Sequence, residues 1–473
     1  MLPAVPDRAL AELGRTEGGP DTLALLVRDQ DTRRLLMLRA VLDAAEAAGP
    51  AVCPGAAKDR LRDDWALLTA ADRAAGGGAH SPARARLTHP LTGPWATRCL
   101  TGLSPRDGRP TPHGRGELLR DLAHFSAVAV VAAARAGLSF TTWLTAREGV
   151  LTLPSLGALH TAERADVRVE VRCADGRLTL RQPGAPHVTV HLEQGTGAWS
   201  ATPAWTPAYA LPGLVPGAGP LPLDDLDPYR VPPREAGQYA LSGPAAPDDA
   251  ERKRWLQTWS GTAAVLRTGG EQRLTEALAL LRCLVPLEPP PGADGRGSCS
   301  ATRREAFGAL LSSAPATPVA FAATLVHELQ HTKLAALSEM TELHRAGPEA
   351  RYFAPWRPDP RPYDGLLQGA YSHLALADFF QRRALADPAR PESAWAEHAR
   401  YHAQVGAALP ALVGSPDLTP VGRRFVDGMV AVHERLAERP APRGYTARAQ
   451  AYIKAVRTLW TQRQPPAPPL TNR

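Results

Sequence analysis

The chain has 473 residues, 44% of them hydrophobic, with 54 basic residues against 47 acidic ones for a formal net charge of +7. That length supports two or three domains with cores of their own, and the near balance of scattered charges excludes a nucleic-acid-binding stripe. The longest apolar run, Ala127 to Ala134, is far below the roughly 20 residues of a membrane span, and no apolar stretch opens the chain, so neither membrane insertion nor secretion is expected.

Residues 1–147 read as a helical region. Apolar residues recur at helical spacing from Ala9 to about Ala75, as in Leu25, Leu26, Leu35, Leu36, Leu38, Val41 and Leu42, until Gly76-Gly77-Gly78 breaks the pattern. A further helix spans about Gly116 to Ala136, where Leu118, Leu119, Leu122, Phe125 and Val128 share a stripe. From 148 to 203 the period changes to two. Val167, Val169, Val171 and Cys173 alternate with Arg168, Glu170 and Arg172, and Asp175-Gly176 supplies a hairpin turn, which predicts a small antiparallel sheet. Residues 204–247 form a connector so rich in proline (Pro207, Pro212, Pro216, Pro220, Pro222, Pro228, Pro232) that little regular structure is expected there. Residues 248–463 return to amphipathic helices, interrupted at Pro286 to Arg296 and Pro348 to Pro362, and 464–473 read as a disordered tail. The fold class is therefore α+β, mainly helical, with a small antiparallel sheet in the middle of the chain. The five cysteines, Cys53, Cys99, Cys173, Cys283 and Cys299, are widely spaced and lack a C-x-x-C pair, which points to a reducing cytoplasm and away from disulfides or a thiolate metal site.

Chemistry concentrates in one helix of the C-terminal half. Thr317 is a suitable N-cap and Pro318 a suitable first residue, and nothing breaks the pattern until Gly347-Pro348, so a helix of about 28 residues is expected. Near its middle lies His327-Glu328-Leu329-Gln330-His331. Histidines four apart share one face of a helix, within reach of one ion, while Glu328 projects about 100° away. The competing reading is a solvated helix. Ala322, Leu325, Val326, Leu329 and Leu334 argue against it, because they would bury the imidazoles where an unpaired polar group is costly.

A third ligand is required. Leu334 and Leu337 stand where a metzincin carries glycine and histidine. His344, Glu339 and Glu342 would continue the same helix away from the ion. His373 sits on a separate helix, about Gly365 to Ala384, on a face shared with Leu366, Gly369, Ala370 and Ala377; a core histidine satisfied by a hydrogen bond is the alternative. His398 and His402 form another four-residue pair, in a polar segment that reads as a solvated face. Taken alone, the H-E-x-x-H string points to a zinc peptidase with Glu328 as general base.

Longer strings carry a resemblance. Leu325 to Leu334, Ala354-Pro355-Trp356-Arg357-Pro358-Asp359-Pro360-Arg361-Pro362 and Gly365-Leu366-Leu367-Gln368-Gly369-Ala370-Tyr371 resemble the HExxH-motif family found with actinobacterial ribosomal-peptide clusters. Asp224-Asp225-Leu226-Asp227-Pro228-Tyr229-Arg230 and Leu418-Thr419-Pro420 add to the likeness, which covers about residues 20 to 440. The resemblance implies a 2-oxoglutarate-dependent peptide β-hydroxylase that uses Fe(II) and O2, takes a ribosomally made precursor peptide, and carries its metal between helices of the C-terminal half, outside any double-stranded β-helix. In that reading His327, His331 and His373 hold the ion. Asp378 or Glu328 would substitute if the site keeps the usual two histidines and one carboxylate. Arg357, Arg361 or Lys333 would bind the distal carboxylate of 2-oxoglutarate. The rivals are zinc peptidase and a non-catalytic, metal-containing protein that binds the precursor.

Overall fold

The computed structural model describes residues 5–78, 81–104, 114–232, 242–290, 299–387 and 392–463, so the expected tail at 464–473 lies outside the described residues. In chain order the first helices are α1 (Asp7–Gly14), α2 (Pro20–Ala47), α3 (Gly55–Ala74), α4 (Pro82–Leu87), α5 (Thr92–Leu103) and α6 (Arg115–Arg135). Strands β1 (Phe140–Ala146), β2 (Val150–Leu153), β3 (Gly157–His160), β4 (Val167–Ala174), β5 (Arg177–Arg181) and β6 (Val188–Leu192) follow. After them come β7 (Ala198–Trp199), β8 (Trp205–Pro207), β9 (Tyr209–Leu211) and β10 (Leu221–Leu223). Helices α7 (Asp249–Thr268) and α8 (Glu271–Leu280) precede β11 (Cys283–Pro286), β12 (Ser300–Ala301) and β13 (Ala309–Ser312). The chain then runs through α9 (Pro318–Met340), α10 (Tyr363–Ala386), α11 (Glu392–Val413), α12 (Pro420–Ala437) and α13 (Arg443–Arg463). The fold is mainly helical with small sheets and no barrel among the described residues. No described helix is long and apolar enough to cross a membrane.

Two compact units emerge. One takes Met1–Asp29, Ser260–Leu280 and Ala316–Arg473; the other takes Gln30–Trp259 and Leu281–Pro315. In the second unit the antiparallel sheet β1-β4-β5-β6-β7 follows the alternation of its sequence, with Val169, Val171, Leu178, Leu180, Val188 and Val190 buried. Asp175 and Gly176 take φ values of 50° and 70°, which closes the β4–β5 hairpin with the twist a tight turn requires. This sheet begins at Phe140, inside the region expected to be helical throughout.

The proline-rich connector also departs from expectation. It supplies β8, β9 and β10, and the last two join β11, β12 and β13 in a mixed sheet of order β12-β13-β11-β10-β9. Strands of three residues need few ladder bonds, so Pro222 is tolerated while Leu221 and Leu223 enter the core on either side of it. That sheet, in which β11 lies parallel to both β10 and β13, places strands inside the half of the chain read as helical.

In the first unit α9 starts as expected: Ala320 N–H donates to Thr317 Oγ1 at 3.1 Å, ahead of Pro318. It ends at Met340, well before Gly347. Thr341 is extended, and residues 343–345 pair instead with 417–419 through Thr419 N–H to Leu343 O and Arg345 N–H to Asp417 O. Gly422 permits this, since a Cβ there would stand 1.8 Å from Leu343 O. His344 therefore lies outside the helix.

Candidate functional site

Helix α9 is apolar almost all round, with Phe321, Ala322, Leu325, Leu329, Leu334 and Leu337 buried, so each polar residue on it needs a partner. His327 and His331, one turn apart, bring their Nε2 atoms to 3.0 Å with the rings at 82°. His331 Nδ1 stands 3.1 Å from Gln368 Oε1 on α10. The amide oxygen can only accept, so Nδ1 carries a proton, and the neutral ring with its proton there presents its lone pair on Nε2. Dehydration first, then the neighbouring His331 and His373, holds His327 well below the ordinary imidazole range. Its side chain keeps 27% of its surface, so the pair is reachable, whereas the Glu328 side chain behind it keeps 3%. Glu328 Oε1 lies 4.0 Å from His327 Nε2.

His373 comes from α10. Its ring centroid is 5.6 Å from that of His327, and Trp356 at 4.7 Å and Tyr401 at 5.0 Å hold it edge-on. Burial pushes it down to about 3, with His331 and Arg400 adding to the effect, so the ring is neutral. Its Nδ1 is buried without a hydrogen-bond partner among the described residues. The neutral His327, the hydrogen-bonded His331 and the orphaned nitrogen of His373 are donors of the kind a transition-metal ion takes, although among the described residues the three do not close into one ligand group as His89, Asp224 and Cys283 do. Two nitrogens about 2.1 Å from a shared ion stand roughly 3 Å apart at a right angle, which the α9 pair matches.

The segment between α9 and α10 forms a strap. Tyr352 and Arg361 pair at its ends, and Trp356 lies against α10 because position 369 is glycine; a Cβ there would meet the Trp356 ring at 2.2 Å. One turn earlier, Gly365 makes the same room for the Arg361 guanidinium, whose Nε would be 3.0 Å from such a Cβ. Positions 365, 369 and 373 thus line one face of α10. Arg357 Nε donates to Asp359 Oδ1 at 2.8 Å, while Arg361 has no carboxylate in ion-pair distance among the described residues. Gln368, Trp356 and Tyr401 escaped the sequence reading as site residues. The glycines at 365 and 369, in register with His373, were the available signal.

Other candidates lie elsewhere. Lys333, about 200° round α9 from His331, is fully buried and donates to Glu276 Oε1 at 2.7 Å, Thr16 O at 3.1 Å and Glu17 O at 3.3 Å. With its three donors used inside the core, it is withdrawn as a 2-oxoglutarate ligand. Asp378 belongs to the same core and pairs with Arg273, Arg382 and Arg435 at 3.0–3.3 Å, which removes it as a metal ligand. His344 Nε2 faces Asp364 Oδ1 at 3.6 Å, and exposed Glu342 bonds Arg345. His398, read as solvated, is buried with Nδ1 2.9 Å from Ala377 O.

A second cluster stands in the other unit. His89, Asp224 and Cys283 bring ligand-type atoms within 4.8 Å of one another. Leu91 N–H donates to His89 Nδ1 at 3.3 Å, so the proton sits on Nε2, which faces Asp224 Oδ2 at 3.1 Å. The nitrogen that faces the other two groups is the protonated one. Dehydration drives Cys283 well above the ordinary thiol range, Asp224 reinforces it, and Arg86 and Arg34 add positive charge around His89. Compared with family models and with curated proteins, the chain matches none, so what either cluster does is argued from its own residues.

Proposed function

We propose that the chain is an Fe(II)- and 2-oxoglutarate-dependent hydroxylase of the HExxH-motif family, acting on a β-carbon of a side chain in a ribosomally made peptide. The observation that carries it is the pair of imidazole Nε2 atoms 3.0 Å apart, with His331 fixed by Gln368 and the neutral His373 beside them. The centre lies between α9 and α10, on helices and not within a double-stranded β-helix. Iron, 2-oxoglutarate and O2 together supply the oxidising power that converts C–H to C–OH. His327 and His331 hold the ion and His373 is the third ligand. Arg361 takes the distal carboxylate, because its guanidinium sits over Gly365 in line with His373, while Arg357 is engaged by Asp359. Trp356 and Tyr401 wall the site against water.

Glu328 keeps a second reading alive. Its carboxylate, 4.0 Å from His327 Nε2, is where a zinc peptidase holds its general base. Protein prepared without oxygen separates the two by metal content, 2-oxoglutarate consumption and peptide mass. A gain of one oxygen with iron supports hydroxylation. Two fragments formed with zinc, and lost about 10²- to 10⁴-fold in Glu328→Gln, overturn it. Under the hydroxylase reading Glu328→Gln keeps substantial turnover and Glu328→Ala loses more.

A further inference from the structure

Helices α11, α12 and α13 enclose a groove of about 520 Å³, within the range of about 300–1,000 Å³ typical of ligand sites. Its walls are mainly apolar, with Ala399, Ala403, Ala437 and Ile453, and Thr446 and Gln450 add uncharged polar side chains. Its floor holds a stacked histidine pair: the His402 and His433 rings lie 4.0 Å apart at 6°, and each Nε2 donates to the other's backbone carbonyl, at 3.1 and 3.2 Å. Those bonds satisfy the floor, and burial pushes His402 down to about 4, so it carries no charge at neutral pH.

Charge sits only at the lip. Lys454 and Arg457 line the opening, exposed and without a carboxylate partner among the described residues. They belong to α13, whose sequence has Arg443, Arg448, Lys454, Arg457 and Arg463 and no acidic residue. One lip residue also touches the strap. The Arg457 guanidinium stands 4.8 Å from the Phe353 ring centroid, and Phe353 is three residues before Trp356, which packs on His373. A mainly apolar wall with a neutral floor and two cations at its lip suits alternating apolar and acidic side chains. It offers no row of aromatic platforms for bases.

We propose that this groove binds an acidic, partly apolar segment of the peptide substrate, remote from the residue that is modified. The proposal rests on the peptide-modifying reading of His327, His331 and His373 for its biological sense, but the binding it asserts needs neither metal nor turnover.

The test uses the metal-free full chain and a fluorescein-labelled dodecapeptide of three Glu-Leu-Glu-Ala repeats, with affinity read by fluorescence anisotropy. Lys454→Glu and, separately, Ala437→Trp, which fills the groove from an exposed position, are each expected to weaken binding by about tenfold or more. Arg177→Glu, an exposed control on β5, is expected to leave it unchanged. A Lys-Leu-Lys-Ala peptide should bind at least about tenfold more weakly, and a thymidine dodecamer should not compete. Equal affinity in Lys454→Glu and Ala437→Trp, an equal loss in Arg177→Glu, or competition by the oligonucleotide would overturn the proposal. Failure to hydroxylate any peptide, with this binding intact, would sink the hydroxylase reading and leave the groove standing.

Discussion

His331 in one unit and His89 in the other are each set among potential metal ligands, yet their second nitrogens meet opposite partners. Gln368 presents an oxygen to His331 Nδ1 and frees Nε2; Leu91 presents an N–H to His89 Nδ1 and forces the proton onto Nε2. The surroundings diverge in the same sense. His327 and His373 are neutral, with an orphaned nitrogen on His373, whereas His89 has a protonated thiol beside it and two guanidinium groups acting on it. Both clusters bring ligand-type atoms together; what separates them is the tautomer that the outer partner sets.

The sharpest way to break this contrast is metal content. His327→Ala and His331→Ala are expected to lose bound iron, more than about 100-fold in affinity, while Cys283→Ser and His89→Ala retain it. Retention in the first two, with loss in the last two, would reverse the assignment. Gln368→Ala comes next. It removes only the outer partner and should weaken the metal about 10- to 100-fold in calorimetric titration, with Gln368→Glu recovering most of the loss because it still accepts from Nδ1.

A smaller effect is expected from His89→Ala in stability alone. Removing the partner of Asp224 should cost about 1–3 kcal/mol in denaturant unfolding without altering metal content. A further test concerns Asp227, whose carboxyl burial raises from 3.8 to about 7, with Asp224 adding to the rise. Between those values the folded chain holds a proton that the unfolded chain has released, so stability falls as pH rises from about 4 to 7. Asp227→Asn keeps an acceptor for Tyr229 N–H and should flatten melting temperature against pH across that window. An unchanged slope would mean that the carboxyl is ionised throughout.

The features legible in the sequence are those written locally. Thr317 and Pro318 start α9, Asp175-Gly176 closes a hairpin, Gly76-Gly77-Gly78 follows α3, and the four-residue spacing brings His327 to His331. What escaped depends on distant partners. The end of α9 is set by residues 417–419 and by Gly422, the mixed sheet gathers strands from 209 to 312, and Lys333 is claimed by Glu276. Lys333 shows the mechanism clearly: its place beside the motif in sequence suggested a carboxylate binder, but rotation round the helix turns it into the core. The prolines of the connector misled for a related reason, since they forbid long ladders but not three-residue strands flanked by leucines.

The unit that holds the histidine pair is assembled from both ends of the chain, and this bears on the order of events during synthesis. Gly14 in α1 meets Phe425 and Gly428 in α12 so closely that a Cβ on it would stand 2.9 Å from Phe425 O. At about 5–20 residues per second, α1 leaves the ribosome roughly 20–80 s before α12 exists. Through that interval Leu10 and Leu13, both buried in the finished unit, must be kept from other partners. The other unit, whose last segment ends at Pro315, is complete well before then and can fold first.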